Sequence, residues 1–464
     1  MHKLVDTITA ISTPIGDGGI GIVRMSGPDS IAIAERIFER GDRREFNPVE
    51  SHKMVYGFIK DPDSDKVVDE VMLTVMLAPN TFTKENMVEI NCHGGLYVTR
   101  KVLDTTLLAG ARLAERGEFT RRAFLNGRIS LAQAEGVIDL IDAKSEASYE
   151  AALKELNNSL SEKITTIKDR LSKIAAETEA EIDFSEDDLE GSDHSVWIKE
   201  ISDILTEINN LIGSYDHGKI LRDGLTVSIV GRPNTGKSSL MNRLLNYDRA
   251  IVSDIPGTTR DTIEEKLSVN GIAVQLIDTA GVQESQNILE AEGIRRSREK
   301  IEQSDILIFL FDGSYDLTSY DLDLALMVRR LGKKVVWVIN KSDIKGKFRE
   351  NKIREITGER PIMISAKRGD GIESLLSALS DTIWEGGCGK SEDIIITRRR
   401  HFDLLTKGKI PLERGIKTLK RDNNAVELFA VDIREAIMAL GEINGDQYTD
   451  SLLDKIFNDF CIGK

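Results

Sequence analysis

Apolar residues along this chain follow two rhythms, and the change between them divides the molecule. Up to about residue 120 they come in short runs of strand length, separated by turn-forming segments. Thr7-Ile-Thr-Ala-Ile11 and Gly21-Ile-Val-Arg-Met25 read as strands around the loop Pro14-Ile-Gly-Asp-Gly-Gly19. A helical stretch over 30–39 follows, then strand patterns at Met54-Val-Tyr-Gly-Phe-Ile59 and Val71-Met-Leu-Thr-Val-Met76. Met87-Val-Glu-Ile-Asn91 is a further strand, running into Cys92-His93-Gly94-Gly95. Neighbouring strand positions point to opposite faces, so this Cys-His pair reads as a turn beside a binding surface and not as a catalytic couple.

Beyond residue 120 the period lengthens. No proline occurs between positions 81 and 232, and no glycine between 137 and 190, which removes both helix breakers from a long segment. Ala152, Leu153, Leu156, Leu160, Ile164, Ile167, Leu171 and Ile174 are spaced mostly by three or four and form one stripe. It predicts packed helices in preference to a coiled-coil arm. The acidic stretch 186–193 reads as a loop, and a helix over 196–212 leads to Lys219-Ile-Leu-Arg-Asp-Gly224. Helical character returns after about 384, with Leu452, Leu453, Ile456, Phe457 and Phe460 on one face. The expected organisation is multidomain α/β: an N-terminal α+β domain (1–120) and a helical domain in two parts (121–216 and 384–464). An inserted P-loop domain (217–383) interrupts the second.

The insertion carries the chemistry. The apolar run 225–230 leads into Gly231-Arg-Pro-Asn-Thr-Gly-Lys-Ser-Ser239, and a helical pattern follows. Strand, glycine loop and helix form a phosphate cradle, in which backbone N–H groups meet a β-phosphate. Lys237 reaches the β/γ oxygens and the Ser238 hydroxyl can ligand Mg²⁺. A second strand runs into Asp278-Thr279-Ala280-Gly281; Asp278 is placed for Mg²⁺ through water, and the Gly281 N–H for a γ-phosphate. A third ends in Asn340-Lys341-Ser342-Asp343, whose last carboxylate suits the paired N–H donors of guanine, which adenine lacks. Ser365-Ala366-Lys367 completes the set with a backbone contact to the guanine oxygen. Four motifs in this order, each after an apolar strand, identify a Ras-like GTPase domain that binds GTP and Mg²⁺.

Charge and cysteine content narrow the setting. A formal charge of −15 offers no broad basic field, so an RNA partner needs a local positive patch or a basic co-subunit. Cys92, Cys388 and Cys461 are too few and too scattered for a disulfide framework, which fits a reducing cytosol. No signal-peptide core and no apolar run near ~18 residues is seen, so a soluble cytoplasmic protein with no membrane association is expected.

The hydrolysis chemistry departs from the small-GTPase pattern. Val282 stands where a water-orienting glutamine is usual, and Gln283 is offset by one residue. Glu284, Glu290 and Glu292 are the acidic candidates for that role. No arginine is evidently committed as a finger; Arg260, in Gly257-Thr-Thr-Arg-Asp261, reads as a switch salt-bridge residue. Thr258 or Thr259 supplies a second hydroxyl for Mg²⁺.

These motifs, together with Gly117-Glu-Phe-Thr-Arg-Arg-Ala-Phe-Leu-Asn126, Leu131-Ala-Gln-Ala-Glu135 and the terminal Phe460-Cys-Ile-Gly-Lys464, resemble the MnmE (TrmE) family of tRNA modification GTPases over essentially the whole chain. The G motifs alone are shared with ribosome-assembly GTPases, an alternative that would call for a basic RNA-binding appendage. The resemblance implies a homodimer built through N-terminal domains that bind a reduced tetrahydrofolate derivative. It also implies a flavin-dependent partner, MnmG (GidA), and an aminomethyl-type (carboxymethylaminomethyl) product at C5 of the wobble uridine of certain tRNAs. By matching motif it places K⁺ on Asn234, Ser253, Ile255 and Thr258, within a nucleotide loop that also includes Asp254, Pro256 and Gly257. Mg²⁺ falls to Ser238 and Thr259, beside Thr235, Gly236 and Ser239 of the phosphate loop, and water orientation to Glu290. The folate positions are Arg24, Glu89, Arg128 and Lys464, with Cys461 nearby in a catalytic role.

Overall fold

In the computed structural model, residues 6–46, 50–183, 194–247, 265–278, 301–344, 350–384 and 394–464 are described. The chain forms two compact units. The first holds 1–138, 155–205 and 406–464; the second holds 139–154 and 206–405.

The first unit is built on a seven-stranded sheet of order β3-β4-β5-β6-β2-β1-β7. Its strands are β1 (Ile8–Ile11), β2 (Ile20–Ser26), β3 (Phe38–Arg40), β4 (Lys53–Lys60), β5 (Val67–Met76), β6 (Met87–His93) and β7 (Arg112–Leu113). Alternation assigns the faces. Val23, Met25, Val71, Leu73, Val75, Val88 and Ile90 point to one side, where Ile33, Ala34 and Ile37 of the helix Ser30–Ile37 and Val102 of the helix Leu96–Leu108 cover them. On the other side Ile8, Ala10 and Met87 meet Ala114 and Phe119.

Two local expectations need correction. The helix anticipated over 30–39 stops at Ile37, because Phe38–Arg40 pairs antiparallel with Gly57–Ile59 as the edge of the sheet. Cys92 and His93 lie inside β6 and not in a turn. They do occupy opposite faces: Cys92 is buried and donates to the Gly21 carbonyl at 3.2 Å, while exposed His93 pairs with Asp69.

The helical part of this unit packs the helix Ser159–Asp183 against the helix Val426–Asn444. Leu160, Ile164, Ile167, Leu171 and Ile174 form the buried stripe. The longer stripe expected from 152 onward is divided by Asn158, whose φ of 71° separates the helix Glu146–Leu156 from its successor. The anticipated loop at 186–193 lies outside the described residues.

The second unit contains a six-stranded sheet of order β13-β12-β11-β8-β10-β9. Here β8 is Leu225–Val230, β9 Glu265–Val269, β10 Ile272–Asp278, β11 Ile306–Asp312, β12 Lys334–Asn340 and β13 Ile362–Met363. All pairings are parallel except β9 with β10. Every residue of β11 is buried, as a strand covered on both faces requires. Ile306, Ile308 and Leu310 join the core on one side; on the other, Phe309 and Phe311 meet the Trp337 ring, with Leu307 in the same cluster. This is the parallel sheet of a P-loop GTPase, with its phosphate loop following β8.

Arg122 of the first unit is a buried cation whose side chain is 0% exposed. It binds Asp6 (2.8 Å), Glu118 (2.9 Å) and Glu85 (3.2 Å), tying the start of β1, the loop before β6 and the helix Glu118–Leu125 together. Burial pushes the Asp6 and Glu118 carboxyls up, but hydrogen bonds from Arg112 and Arg122, with the Glu115 N–H for Glu118, outweigh it and hold both below the usual range. Lowered carboxyls stabilise the fold fully above their unfolded pKa values and lose that contribution as pH falls through the folded ones. Arg122→Met should therefore cost about 3–5 kcal/mol near neutrality. Denaturant melts from pH 7 to 3 should show the gap from the parent chain closing as the carboxylates protonate; a gap independent of pH would contradict the assignment.

Candidate functional site

Two sets of side chains foreseen from the sequence assemble in the structure, one in each unit. In the second unit the phosphate loop leaves β8 and enters the helix Lys237–Tyr247. Asn234 (φ 64°) and Gly236 (φ 95°) take left-handed conformations that curl the loop. A Cβ at Gly236 would stand 2.3 Å from the Asn340 amide nitrogen, so glycine is required there for close approach. Thr235 is fully buried and donates to the Arg232 carbonyl at 3.0 Å. Lys237 folds over the loop, donating to the carbonyls of Gly231 and Arg232 at 2.9 Å each. Ser238 and Ser239 sit exposed on the first turn, which leaves the Ser238 hydroxyl open to a cation.

Asn340, 2% exposed, joins the phosphate loop to the loop carrying Ser365 to Lys367. Its amide nitrogen donates to the Thr235 carbonyl at 2.8 Å, and its amide oxygen accepts from the Ala366 N–H at 2.9 Å. Lys341 donates to the Asn234 carbonyl (2.8 Å) and to Asp312 (2.7 Å). Burial pushes the Asp312 carboxyl up, yet hydrogen bonds from Lys341 and Ser314 bring it below its ordinary value. The Ser365 hydroxyl donates to Asp343 at 2.7 Å and holds that carboxyl low, keeping it an anion able to accept two N–H donors. Lys367 belongs to the same loop, which is pinned from below by Arg243: its guanidinium donates to the carbonyls of Ala366 (3.1 Å) and Lys367 (2.6 Å). Sequence reasoning did not find Arg243, since nothing in its helix marks it apart from other surface cations.

Asp278 closes β10 in register with Ile229, beside the phosphate-loop strand. Ser253, Asp254, Ile255, Pro256, Gly257, Thr258, Thr259, Thr279, Ala280, Gly281 and Glu290 lie outside the described residues. So do Arg260, Asp261, Val282, Gln283, Glu284, Glu292 and Cys388.

In the first unit Ala10, Arg24 and Glu89 are aligned across β1, β2 and β6. Arg24 donates to Glu89 at 2.8 Å and lies 5.8 Å over the Phe119 ring. The Phe119 N–H donates to the Lys464 carbonyl at 3.2 Å, which brings the chain terminus to this region. The whole tail is fastened there. Arg116 donates to the Phe460 carbonyl (3.0 Å), Gly117 N–H to that of Cys461 (3.4 Å) and Ser12 to that of Gly463 (3.2 Å). Gly463 (φ 96°) passes so close to Ile11 that a Cβ would fall 2.1 Å from its carbonyl. Cys461 is exposed. Arg128 stacks on Phe82 at 4.8 Å, and Phe82 packs on the same apolar cluster as Phe119. Arg24, Glu89, Arg128 and the tail thus surround one cluster. Arg116 and Ser12, which fasten the tail, carried no signal in the sequence.

Comparison with known proteins agrees across the chain. The family model described as the MnmE helical domain matches residues 131–461, and that described as the GTP-binding protein TrmE N-terminus matches 7–128. The chain is similar to the tRNA modification GTPase MnmE of Alkaliphilus oremlandii, at 41% identity over 460 residues, 99% of each. It is similar also to that of Bacillus subtilis, at 40% over 462 residues, 99% of this chain and 100% of that one. Among solved structures, an Era variant of Aquifex aeolicus bound to GDP.AlF4- matches 41% of this chain and 66% of its own, at 26% identity and a TM-score of 0.28.

Asp343→Asn exchanges an acceptor for a donor at the position expected from the sequence to meet the purine edge. With charged hydrogen bonds worth about 1.5–3 kcal/mol each, GTP affinity should fall by roughly two orders of magnitude while xanthosine triphosphate gains. Calorimetry with both nucleotides decides; undiminished GTP binding would remove Asp343 from base recognition.

Proposed function

The chain belongs to the MnmE family of tRNA modification GTPases, and on that premise we propose that it hydrolyses GTP to drive modification of C5 of the wobble uridine in certain tRNAs. The bridge from Thr235 through Asn340 to Ala366, with Asp343 held anionic by Ser365, supports this reading most strongly. It is a phosphate cradle wired to a guanine-specific loop.

The modification proceeds with the flavin-dependent partner MnmG, and the carbon unit comes from a reduced folate held by Arg24, Glu89, Arg128 and Lys464. Arg24 and Glu89 offer the chemistry for it: a guanidinium for an anionic tail, and a carboxylate for the amino–imino edge of a pterin. The protein acts as a homodimer. Met54, Tyr56 and Met72, exposed on one face of β4 and β5 with Tyr56 opposite Met72, leave an apolar sheet surface in keeping with a second copy. The domains divide at about 120, 216 and 383, and the protein works in the cytoplasm; no helix among the described residues is long and apolar enough to cross a membrane.

Ser238 and Thr259 would hold the Mg²⁺ that neutralises phosphate charge during hydrolysis, with Asp278 reaching it through water. Asn234, Ser253, Ile255 and Thr258 would hold K⁺, which would supply the charge an arginine finger gives, and Glu290 would orient water. A cation so placed is worth on the order of 10³–10⁵ in rate when G domains pair. Cys461, exposed in the fastened tail, is assigned a catalytic role beside the folate residues.

The test is nucleoside analysis of tRNA from cells lacking the protein, complemented with the parent gene or Glu290→Ala. The C5-modified wobble uridine should disappear and return only with the parent. The purified chain should hydrolyse GTP much faster in K⁺ than in Na⁺ at constant ionic strength. Unchanged nucleosides would overturn the tRNA reading; equal rates in the two salts would overturn the K⁺ site.

A further inference from the structure

The helix Arg399–Arg421 is basic in an acidic protein. Between Thr406 and Arg421 six lysines and arginines stand against one acidic residue, Glu413, in a chain of net charge −15. Packing decides which way the cations face. Leu412, Ile416 and Leu419 are buried, and Gly408 and Gly415 let the helix approach Leu440 and Phe429 of the helix Val426–Asn444 to within 3.0 Å of a built Cβ. The opposite stripe carries Lys407, Arg414, Lys417 and Arg421 at steps of seven, three and four, with Lys420 alongside, all exposed.

The cations differ in what they already hold. Lys407 pairs with Glu442 (2.7 Å), Lys409 with Glu413 (3.5 Å), and Arg414 with Asp432 and Glu435. Lys417, Lys420 and Arg421 pair with no carboxylate among the described residues. A helix C-terminus favours a cation or two in its last turn, which accounts for Lys420 and Arg421 but not for Lys417 one turn earlier. The row from Lys407 to Arg421 runs about 21 Å along the helix axis, at 1.5 Å per residue. A strongly acidic protein that handles RNA must receive the polyanion at such a local patch, because its overall field repels one.

We propose that the exposed face of this helix, through Lys417, Lys420 and Arg421, binds the phosphate backbone of the tRNA substrate. This rests on the reading of the chain as a tRNA-modifying enzyme and assigns a contact surface for that substrate. The contacts position the tRNA by its backbone and carry no base preference.

The test uses the full chain with Lys417→Gln, Lys420→Gln and Arg421→Gln combined, and a fluorescently labelled, unmodified tRNA transcript. Anisotropy titrations run from 50 to 300 mM KCl. The variant should bind at least 10-fold more weakly at 100 mM, and its slope of log K against log salt should be shallower by about 2, at ~0.7–0.9 per phosphate contact. GTP affinity and melting temperature should not change. A control, Arg36→Gln with Arg43→Gln and Arg44→Gln, should match the parent in both readouts. Unchanged affinity and slope in the Lys417 variant, or equal loss in the control, would overturn this surface while leaving the enzyme assignment standing. If polyglutamate displaced the transcript as well as unlabelled tRNA does, the face would be an acidic-protein contact and the RNA assignment would fall. A parent chain that binds no tRNA at any salt would overturn the substrate reading along with this one.

Discussion

One buried amide holds the nucleotide site together. Asn340 satisfies a carbonyl of the phosphate loop and an N–H of the loop carrying Ser365 to Lys367 at once, so neither can move without orphaning a buried polar group in the other. The other loop contacts are arranged around that bond. Gly236 exists to let the amide approach, Lys341 locks the neighbouring Asn234 carbonyl, and Arg243 supports the far loop through two carbonyls. The phosphate loop and the loop carrying Ser365 to Lys367 are therefore tied together, set on strands whose two faces are filled by Leu310 on one side and Phe309, Phe311 and Trp337 on the other.

The first unit follows a different economy. Its sheet leaves the Arg24–Glu89 pair on the less covered face, and the chain terminus closes over the same region. The tail is held almost wholly by backbone carbonyls accepting from Arg116, Gly117, Phe119 and Ser12. Phe460 is buried among Leu453 and Phe457, while Cys461 stays exposed. Behind this surface the buried Arg122 network fixes the elements that present it. Strand residues backed by a charge network are held in place with little freedom to reorganise.

How legible this was in the sequence depended on distance along the chain. The phosphate loop, Asn340 to Asp343 and Ser365 to Lys367 are contiguous motifs behind apolar strands, and their local spacing located them. The alternation of Val71, Leu73 and Val75 gave β5 its buried face. Arg24 and Glu89 face each other only because β2 and β6 pair in one register, which no local pattern encodes; their association was implied by family resemblance alone. Arg243, Arg116 and the Arg122 partners were missed for the same reason. Helix propensity overran its end at Ile37, where pairing with Phe58 and Ile59 draws Phe38 and Glu39 into a strand. The Asn158 break in the long apolar stripe escaped notice because the stripe itself continues through it.

The most direct measurement of the central claim is nucleotide affinity in Asn340→Ala, by calorimetry with GDP and GTP beside hydrogen exchange at Thr235 and Ala366. Losing the amide leaves a buried carbonyl and a buried N–H unpaired, each costing about 1–3 kcal/mol, so affinity should fall at least ~30-fold and exchange should rise in both loops together. An unchanged affinity, or faster exchange confined to one loop, would show that the two halves of the site are held independently and would contradict the account.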